Sequence, residues 1–127
     1  MQLEEIGQSI RFNIKNIAYS RFSTLSEYHN VISPFSRMYF ITEGEGYILV
    51  KNEKIKLEAG YIYLIPSYIS CSYVFGQNLA HYYIHFSLTM DSGLSIFNLF
   101  NLHYKSKAIE LDGFLFCRLL EINPQKY

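Results

Sequence analysis

The side chains that could do chemistry in this sequence lie in short, aromatic-rich segments. Cys71 and Tyr73 are two residues apart, Arg37 and Tyr39 have the same spacing upstream, and the segment HYYIHF begins at His81. Residues two apart share one face of a β-strand, so each segment can present a polar and an aromatic group together. Arginine and histidine can pair with a hydroxyl or a carboxylate, and aromatic faces can stack on sugar rings or planar ligands.

The sequence lacks the motifs of several common catalytic and binding sites. No nucleophile elbow, catalytic triad order or glycine-rich phosphate loop is present. Cys71 and Cys117 are far apart and match no zinc spacing, so we expect two free thiols. The central acidic residues all fall in predicted turns, where solvated charge is the simplest interpretation: Glu43, Glu45, Glu53 and Glu58. The motifs therefore predict neither an enzyme nor a cofactor.

Length and composition limit the class of protein further. The 127 residues suffice for one domain, and the 12 tyrosines and 10 phenylalanines favour β-structure. The formal net charge is zero, whereas a domain that binds nucleic acid by itself usually carries an excess of positive charge. No signal peptide and no apolar run of about 18 residues is found, so the sequence predicts a soluble, cytoplasmic protein.

Short β-prone runs separated by turn residues must position these side chains. Alternation predicts a strand from Ile10 to Tyr19, and the polar stretch Ser20–Asn30 is interpreted as a loop or an irregular edge. Six further runs are typical of consecutive antiparallel strands: Arg37–Thr42, Tyr47–Val50, Lys54–Leu57, Tyr61–Ile65, Cys71–Phe75 and His81–Phe86.

The pattern changes after residue 92. Apolar residues from Leu94 to Phe100 fit a short helical or irregular segment, and Lys107–Leu111 fits one more strand. Asp112 is a good N-cap for a helix over Gly113–Ile122. The helix carries an apolar stripe, which either contacts a second copy of the chain or packs on its own sheet; its members are Leu115, Leu119 and Ile122.

The stretch GEGYILVKNEKIKLEAGYIYLIPSYISCSY, from Gly44 to Tyr73, resembles the cupin barrel that opens regulators of the arabinose-operon (AraC) type. The resemblance is carried by the Gly-x-Gly hairpin, by the Gly60–Tyr73 spacing and by the closing run Tyr82–Phe86. It implies a mainly β fold, namely a cupin-like antiparallel β-barrel (double-stranded β-helix or jelly roll) followed by short C-terminal helices. The barrel would occupy about residues 10–90, and a helical dimerisation segment about residues 93–122, of a single domain over residues 1–127.

The sequence departs from the metal-binding cupins at their ligand positions. Arg37 stands where the glutamate ligand would be, Cys71 where the later histidine would be, and the two earlier histidine positions fall on or near Val31 and Ser33. A guanidinium has no lone pair to offer a metal and carries its own positive charge. The resemblance therefore implies a barrel without a metal site.

The resemblance also indicates which residues would hold a ligand. Sugar-sensing relatives bind through positions that correspond to Tyr73, His81 and Tyr83, and strand parity adds Arg37, Tyr39 and Cys71 to the inward face. His85 and Tyr82 are weaker candidates, because they could face the other way or support the core. The alternative is that these aromatic side chains simply fill a small barrel.

The implied function is that of an effector-sensing and dimerisation domain of an AraC-type transcription regulator. A small molecule such as a sugar would bind in the barrel of a homodimer, and a DNA-binding helix-turn-helix domain would follow Tyr127. An alternative is a free-standing, metal-independent cupin enzyme such as a sugar epimerase or isomerase. In that enzyme His81 or His85 would act with a tyrosine as an acid–base pair.

Overall fold

The computed structural model describes residues 10–90 and 104–122 of the chain. Within these residues it contains nine β-strands followed by one α-helix. The elements in order are β1 Ile10–Arg21, β2 Ser26–Val31, β3 Ser36–Glu43, β4 Glu45–Val50, β5 Glu53–Glu58, β6 Tyr61–Ile65, β7 Cys71–Phe75, β8 Ala80–Met90, β9 Lys105–Lys107 and α1 Glu110–Ile122.

The strands form two antiparallel sheets. The larger sheet has the order β1-β8-β3-β6-β9, and the smaller has the order β2-β7-β4-β5. Strands that are distant in sequence become neighbours, as in the pairing of Arg37 on β3 with His85 on β8. The fold predicted from the sequence, a mainly β cupin-like arrangement with a helical C-terminal part, is confirmed.

The tight turns occur where the local residues tolerate positive φ angles. Lys51 and Asn52 have φ angles of 49° and 63° between β4 and β5, the combination that a two-residue hairpin turn requires. Gly46 is needed for a different reason: a Cβ atom there would lie 2.2 Å from the Val74 carbonyl oxygen of the neighbouring strand β7. A glycine therefore lets β4 and β7 approach closely.

The larger sheet has an apolar cluster on each of its faces. Its inner face packs against the smaller sheet around fully buried side chains such as Ile41, Ile48 and Tyr63. Its outer face is covered by α1, whose Phe116 packs with Ile84 and other residues of β1 and β8. One sheet thus separates an inter-sheet core from a helix-covered cluster.

The structure decides the two alternatives for Ser20–Asn30 in favour of an irregular edge and corrects one expected strand. Part of this segment belongs to β2, an edge strand that pairs with β7 and has an irregularity between Tyr28 and Val31. The expected strand Lys107–Leu111 is wrong, because β9 covers Lys105–Lys107 and α1 begins at Glu110. The second predicted helical segment, Leu94–Phe100, lies outside the described residues.

The helix start differs from the prediction because Asp112 reaches backward. Its carboxylate accepts a hydrogen bond from the Ile109 backbone N–H at 2.9 Å. Asp112 is therefore the third residue of α1 rather than its N-cap, and it satisfies a donor just before the helix as the acidic member of a capping box does. Among the described residues, no helix is both long enough and apolar enough to cross a membrane.

Candidate ligand-binding site

A cavity of about 350 Å³ lies between the two sheets, near the edge formed by β1 and β2. Its volume is at the lower end of the range typical of small-molecule sites, about 300–1,000 Å³. Side chains of β1, β2, β3, β7 and β8 line it, together with residues of the connections between them. The lining consists of Ser20, Phe22, Tyr28, Val31, Ser33, Phe35, Arg37, Tyr39, Tyr73, Phe75, His81, Tyr83 and His85.

Arg37 brings a positive charge to this cavity. Its side chain is 3% exposed, and its Nε and Nη2 atoms are buried without a hydrogen-bond partner. The guanidinium carbon lies 5.0 Å from the ring centroid of Tyr73, a cation–π contact. No aspartate or glutamate is among the described lining residues, so the charge has an aromatic neighbour and no carboxylate.

His81 lies in an aromatic cluster on the same wall. It is 3% exposed and stacks on Phe22 and Phe75, with centroid distances of 5.6 and 5.7 Å. Burial lowers the pKa of His81 to about 4, although a hydrogen bond to the Ser20 backbone acts in the opposite direction. The ring is therefore neutral at neutral pH, and its buried Nδ1 atom has no partner.

Two buried tyrosines complete the polar part of the lining. Tyr39 and Tyr73 meet edge-to-face with their ring centroids 6.0 Å apart. Burial raises the pKa of both hydroxyls, so both stay protonated and can donate. The buried Tyr73 hydroxyl makes no hydrogen bond of good geometry, although the Tyr39 and Cys71 side chains lie beside it.

Tyr83 and His85 follow His81 along the cavity-facing side of β8. The ring centroids of Tyr83 and His85 are 5.0 Å apart, and His85 stacks on Phe35 at 4.6 Å. Burial, and then the nearby charge of Arg37, lower the pKa of His85 to about 4. Both cavity histidines are thus uncharged at neutral pH.

The structure brings together five of the six ligand-binding residues predicted from the sequence. Arg37, Tyr39, Tyr73, His81 and Tyr83 all line the cavity, and the weaker candidate His85 does so as well. The sixth is placed elsewhere: the side chain of Cys71 is buried in the inter-sheet core and does not line the cavity.

Tyr82, the other weaker candidate, faces the opposite side of the larger sheet. Its hydroxyl lies 3.1 Å from the Cys117 sulfur of α1. This hydrogen bond, followed by burial, raises the pKa of Tyr82 to about 12. The residue therefore belongs to the contact between sheet and helix.

Sequence reasoning missed lining residues in the segment interpreted as a loop and in the connections between strands. Phe22, Tyr28 and Phe35 come from there, and Phe75 comes from the end of β7. Isolated aromatic residues in a polar segment were a usable signal, since exposed loops seldom need them.

The residues at the positions where metal-binding cupins hold their ligands do not suit a metal ion. Val31, Ser33 and Arg37 line the cavity, but they offer an aliphatic chain, a hydroxyl and a cation, and Cys71 lies in the core. Across residues 10–90 and 104–122, no three histidine, cysteine, aspartate or glutamate side chains come together in a possible metal site.

The three predicted dimer-contact residues lie on two sides of α1. Leu115 and Ile122 are 50% and 56% exposed, whereas Leu119 packs against the outer cluster of its own sheet. Leu119 lies between the two sides: it is four positions after the exposed Leu115, but it packs with the buried Phe116 against the sheet. The exposed stripe instead comprises Leu111, Phe114, Leu115 and Ile122.

One similar solved structure identifies the fold. A cupin superfamily protein from Desulfitobacterium hafniense superposes with a TM-score of 0.50 and 15% sequence identity, over 60% of this chain and 75% of that chain. The chain has the cupin fold. No protein-family model matches it, and no curated protein sequence matches it either.

Two other solved cupin-fold structures are similar to this chain. Salicylate 1,2-dioxygenase from Pseudaminobacter salicylatoxidans matches with a TM-score of 0.49 and 14% identity, over 72% of this chain and 34% of that chain. A putative ethanolamine utilization protein Q from Salmonella typhimurium matches with a TM-score of 0.46 and 15% identity, over 67% and 63% of the two chains.

Proposed function

We propose that this cupin domain is the small-molecule-sensing and dimerisation part of an AraC-type transcription regulator. The effector binds in the cavity between the sheets, and a second copy of the chain binds through α1. A helix-turn-helix domain that reads DNA follows Tyr127, and the sensing domain works in the cytoplasm.

The cavity is the observation that carries this proposal. It offers aromatic walls, a cation and buried polar atoms without partners, which suit the capture of a small molecule. Its described lining contains no carboxylate to orient a histidine as a general base. This composition favours binding over acid–base catalysis, although the rings of Tyr83 and His85 are close together.

The exposed stripe of α1 supports dimerisation. Four large apolar side chains on one helix face form the kind of patch that partner surfaces cover. Arg118 and Glu121, which form an ion pair at 3.2 Å on the same helix, give the surface both charge signs. A two-fold contact places each surface against its own copy, so both signs find opposite partners.

The reading frame after Tyr127 tests the proposal. We expect it to continue into two helix-turn-helix units, and the extended protein to bind a DNA site with two half-sites as a dimer. A downstream frame that ends at once, or that encodes no DNA-binding unit, would contradict the regulator function and favour a free-standing cupin. Sequencing the complete gene, followed by gel-shift assays with upstream DNA, gives the answer.

A further inference from the structure

No carboxylate among the described residues lines the cavity beside the charge of Arg37. The residue is 3% exposed, and its guanidinium lies over the face of Tyr73 and next to Tyr39, two tyrosines whose hydroxyls stay protonated. A buried charge without a counter-charge is costly, and a lysine or carboxylate in that position could lose its charge by changing protonation. Arginine keeps its proton in proteins. None of the described lining residues supplies a negative charge, so an anion that enters the cavity would balance Arg37.

The protonation states of the remaining lining residues indicate how many negative charges the ligand should carry. His81 and His85 are neutral at neutral pH because burial disfavours their protonation. Among the described residues around the cavity, Arg37 therefore carries the one formal charge. A single negative charge compensates it, whereas a dianion such as a phosphate monoester would leave one charge buried without a partner.

Polar atoms without partners show where the anionic group would lie. Arg37 Nε and Nη2 are two neighbouring donors of one guanidinium, and the Tyr73 hydroxyl belongs to the ring beside it. Two parallel N–H donors match the two oxygens of a carboxylate, which is the geometry of the strongest arginine pairs. The hydroxyl of Tyr73 is a further donor in the lining of the cavity.

Apolar and aromatic side chains form a large part of the remaining lining. Phe22 and Phe75 stack on each other at a centroid distance of 4.6 Å, and Phe35, Tyr28 and Val31 continue the surface. Such walls suit a planar or aliphatic body better than a ring of hydroxyls, because each buried hydroxyl needs its own partner.

We propose that the cavity binds an organic monocarboxylate, with the carboxylate on Arg37 and an aromatic or short aliphatic body between Phe22, Phe75 and Tyr83. This inference rests on the proposed sensing function and names the class of effector. It replaces a neutral sugar with an acid as the expected ligand.

Calorimetric titration of the 127-residue chain tests the inference. The probes are benzoate, cinnamate and hexanoate, each paired with its primary amide, and L-arabinose as a neutral polyol. We expect at least one acid to bind, and to bind on the order of 100-fold more tightly than its amide, since the amide leaves Arg37 without a counter-charge. Arg37→Met should weaken that acid by a similar factor.

The stability of the unliganded variants separates a ligand-binding arginine from a structural one. Arg37→Met removes an unpaired buried charge, so the thermal midpoint of the unliganded protein should rise or stay unchanged while acid binding is lost. Arg37→Lys keeps the charge without the two-pronged donor and should weaken the acid about tenfold; it carries the test if Arg37→Met does not fold. Lys51→Met removes a positive charge from the exposed turn between β4 and β5 and should bind the acid like wild type.

Three results would overturn the inference. They are an absence of binding by all three acids, amides that bind as tightly as their acids, and acid binding that survives in Arg37→Met. Binding of L-arabinose alone would also overturn it, while leaving a sensing domain for neutral sugars intact. Failure of the sensing function itself would appear separately, in the reading frame after Tyr127.

Discussion

His81 illustrates how a single side chain combines packing and polarity in this domain. It stacks between aromatic rings as a core residue would, yet its Nδ1 atom is buried without a partner beside the cavity. The same burial that makes it a good packing residue keeps it uncharged at neutral pH. Because the hydrogen bond to the Ser20 backbone keeps the proton on the other ring nitrogen, Nδ1 can accept one hydrogen bond from a ligand without adding charge to the site.

The lowered pKa of His81 makes folding stability depend on pH. The pKa is about 4 in the folded chain against an ordinary value of 6.5, so the unfolded state binds more protons between these values. Stability is then fully present above about pH 6.5 and is lost as the pH falls toward 4. We expect His81 alone to contribute a loss of about 2 kcal/mol in the free energy of unfolding between pH 7 and pH 5.

Urea unfolding at pH 7 and pH 5 measures this effect, with His81→Phe as the comparison. Phenylalanine keeps the stacking but cannot titrate, so the variant should lose about 2 kcal/mol less than wild type over the same interval. His85 acts in the same direction in both proteins and cancels from the comparison. Equal losses in the two proteins would show that His81 titrates normally in the folded state.

Whether the sequence could predict an element depended on how local its signal was. Tyr61–Ile65 and Cys71–Phe75 have the predicted bounds, because glycine, proline or polar turns delimit each of them. The sequence left β2 ambiguous between a loop and an irregular edge because four of its six residues are exposed and its alternation is weak. Pairing with β7 makes it an edge strand. The start of α1 was missed because Asp112 fits an N-cap and a third helical position equally well from sequence alone.

The candidate site shows the same limit. Strand parity and the resemblance found Arg37, Tyr39, Tyr73, His81 and Tyr83, which all lie on strands with clear alternation. Parity also placed Cys71 inward, and it is indeed buried, but the extent of a cavity along a sheet depends on how the two sheets pack. Phe22 and Phe35 come from connections between strands, where no periodicity exists to predict a side chain's direction.

The position of α1 allows its two faces to be tested separately. Leu115 is 50% exposed on the outer stripe, and Leu119 packs on the outer cluster of the sheet. Leu115→Glu should therefore weaken a dimer at least tenfold with little change in monomer stability, since a buried, unpaired charge at an interface is costly. Leu119→Glu should instead destabilise the monomer by about 2 kcal/mol or more.

Sedimentation over a range of concentrations and urea unfolding below the dimer dissociation constant measure the two effects. Lys51→Gln, in the exposed turn between β4 and β5, serves as a surface control for both. If wild type is a monomer at all concentrations, or if Leu115→Glu remains a dimer of wild-type affinity, the outer stripe is not the contact.

At the scale of the whole molecule, two strands connect the cavity with the helix. Along β8, His81, Tyr83 and His85 line the cavity, while Ile84 and the intervening Tyr82 pack toward α1. β3 does the same, since Arg37 and Tyr39 line the cavity and Phe40 lies 5.4 Å from Phe116 of α1 between ring centroids. A ligand that shifts β3 or β8 would therefore also shift residues that contact α1, the helix that carries the proposed dimer surface.

This arrangement predicts that ligand binding and dimerisation influence each other. If saturating carboxylate changes the dimer dissociation constant by some factor, dimerisation must change the carboxylate affinity by the same factor. We expect a factor of about five or more, the lower end of typical coupling between sites. Sedimentation of wild type with and without the tightest-binding acid measures the effect of the acid on the dimer. Comparing the acid affinity of wild type with that of the monomeric Leu115→Glu measures the effect of dimerisation on acid binding.

Phe40→Leu removes the ring contact with Phe116 without touching the cavity lining, and it should reduce the coupling factor while leaving acid affinity in the monomer unchanged. A dimer dissociation constant that is the same with and without acid would mean that acid binding and dimerisation are not coupled, and that α1 only holds the two copies together.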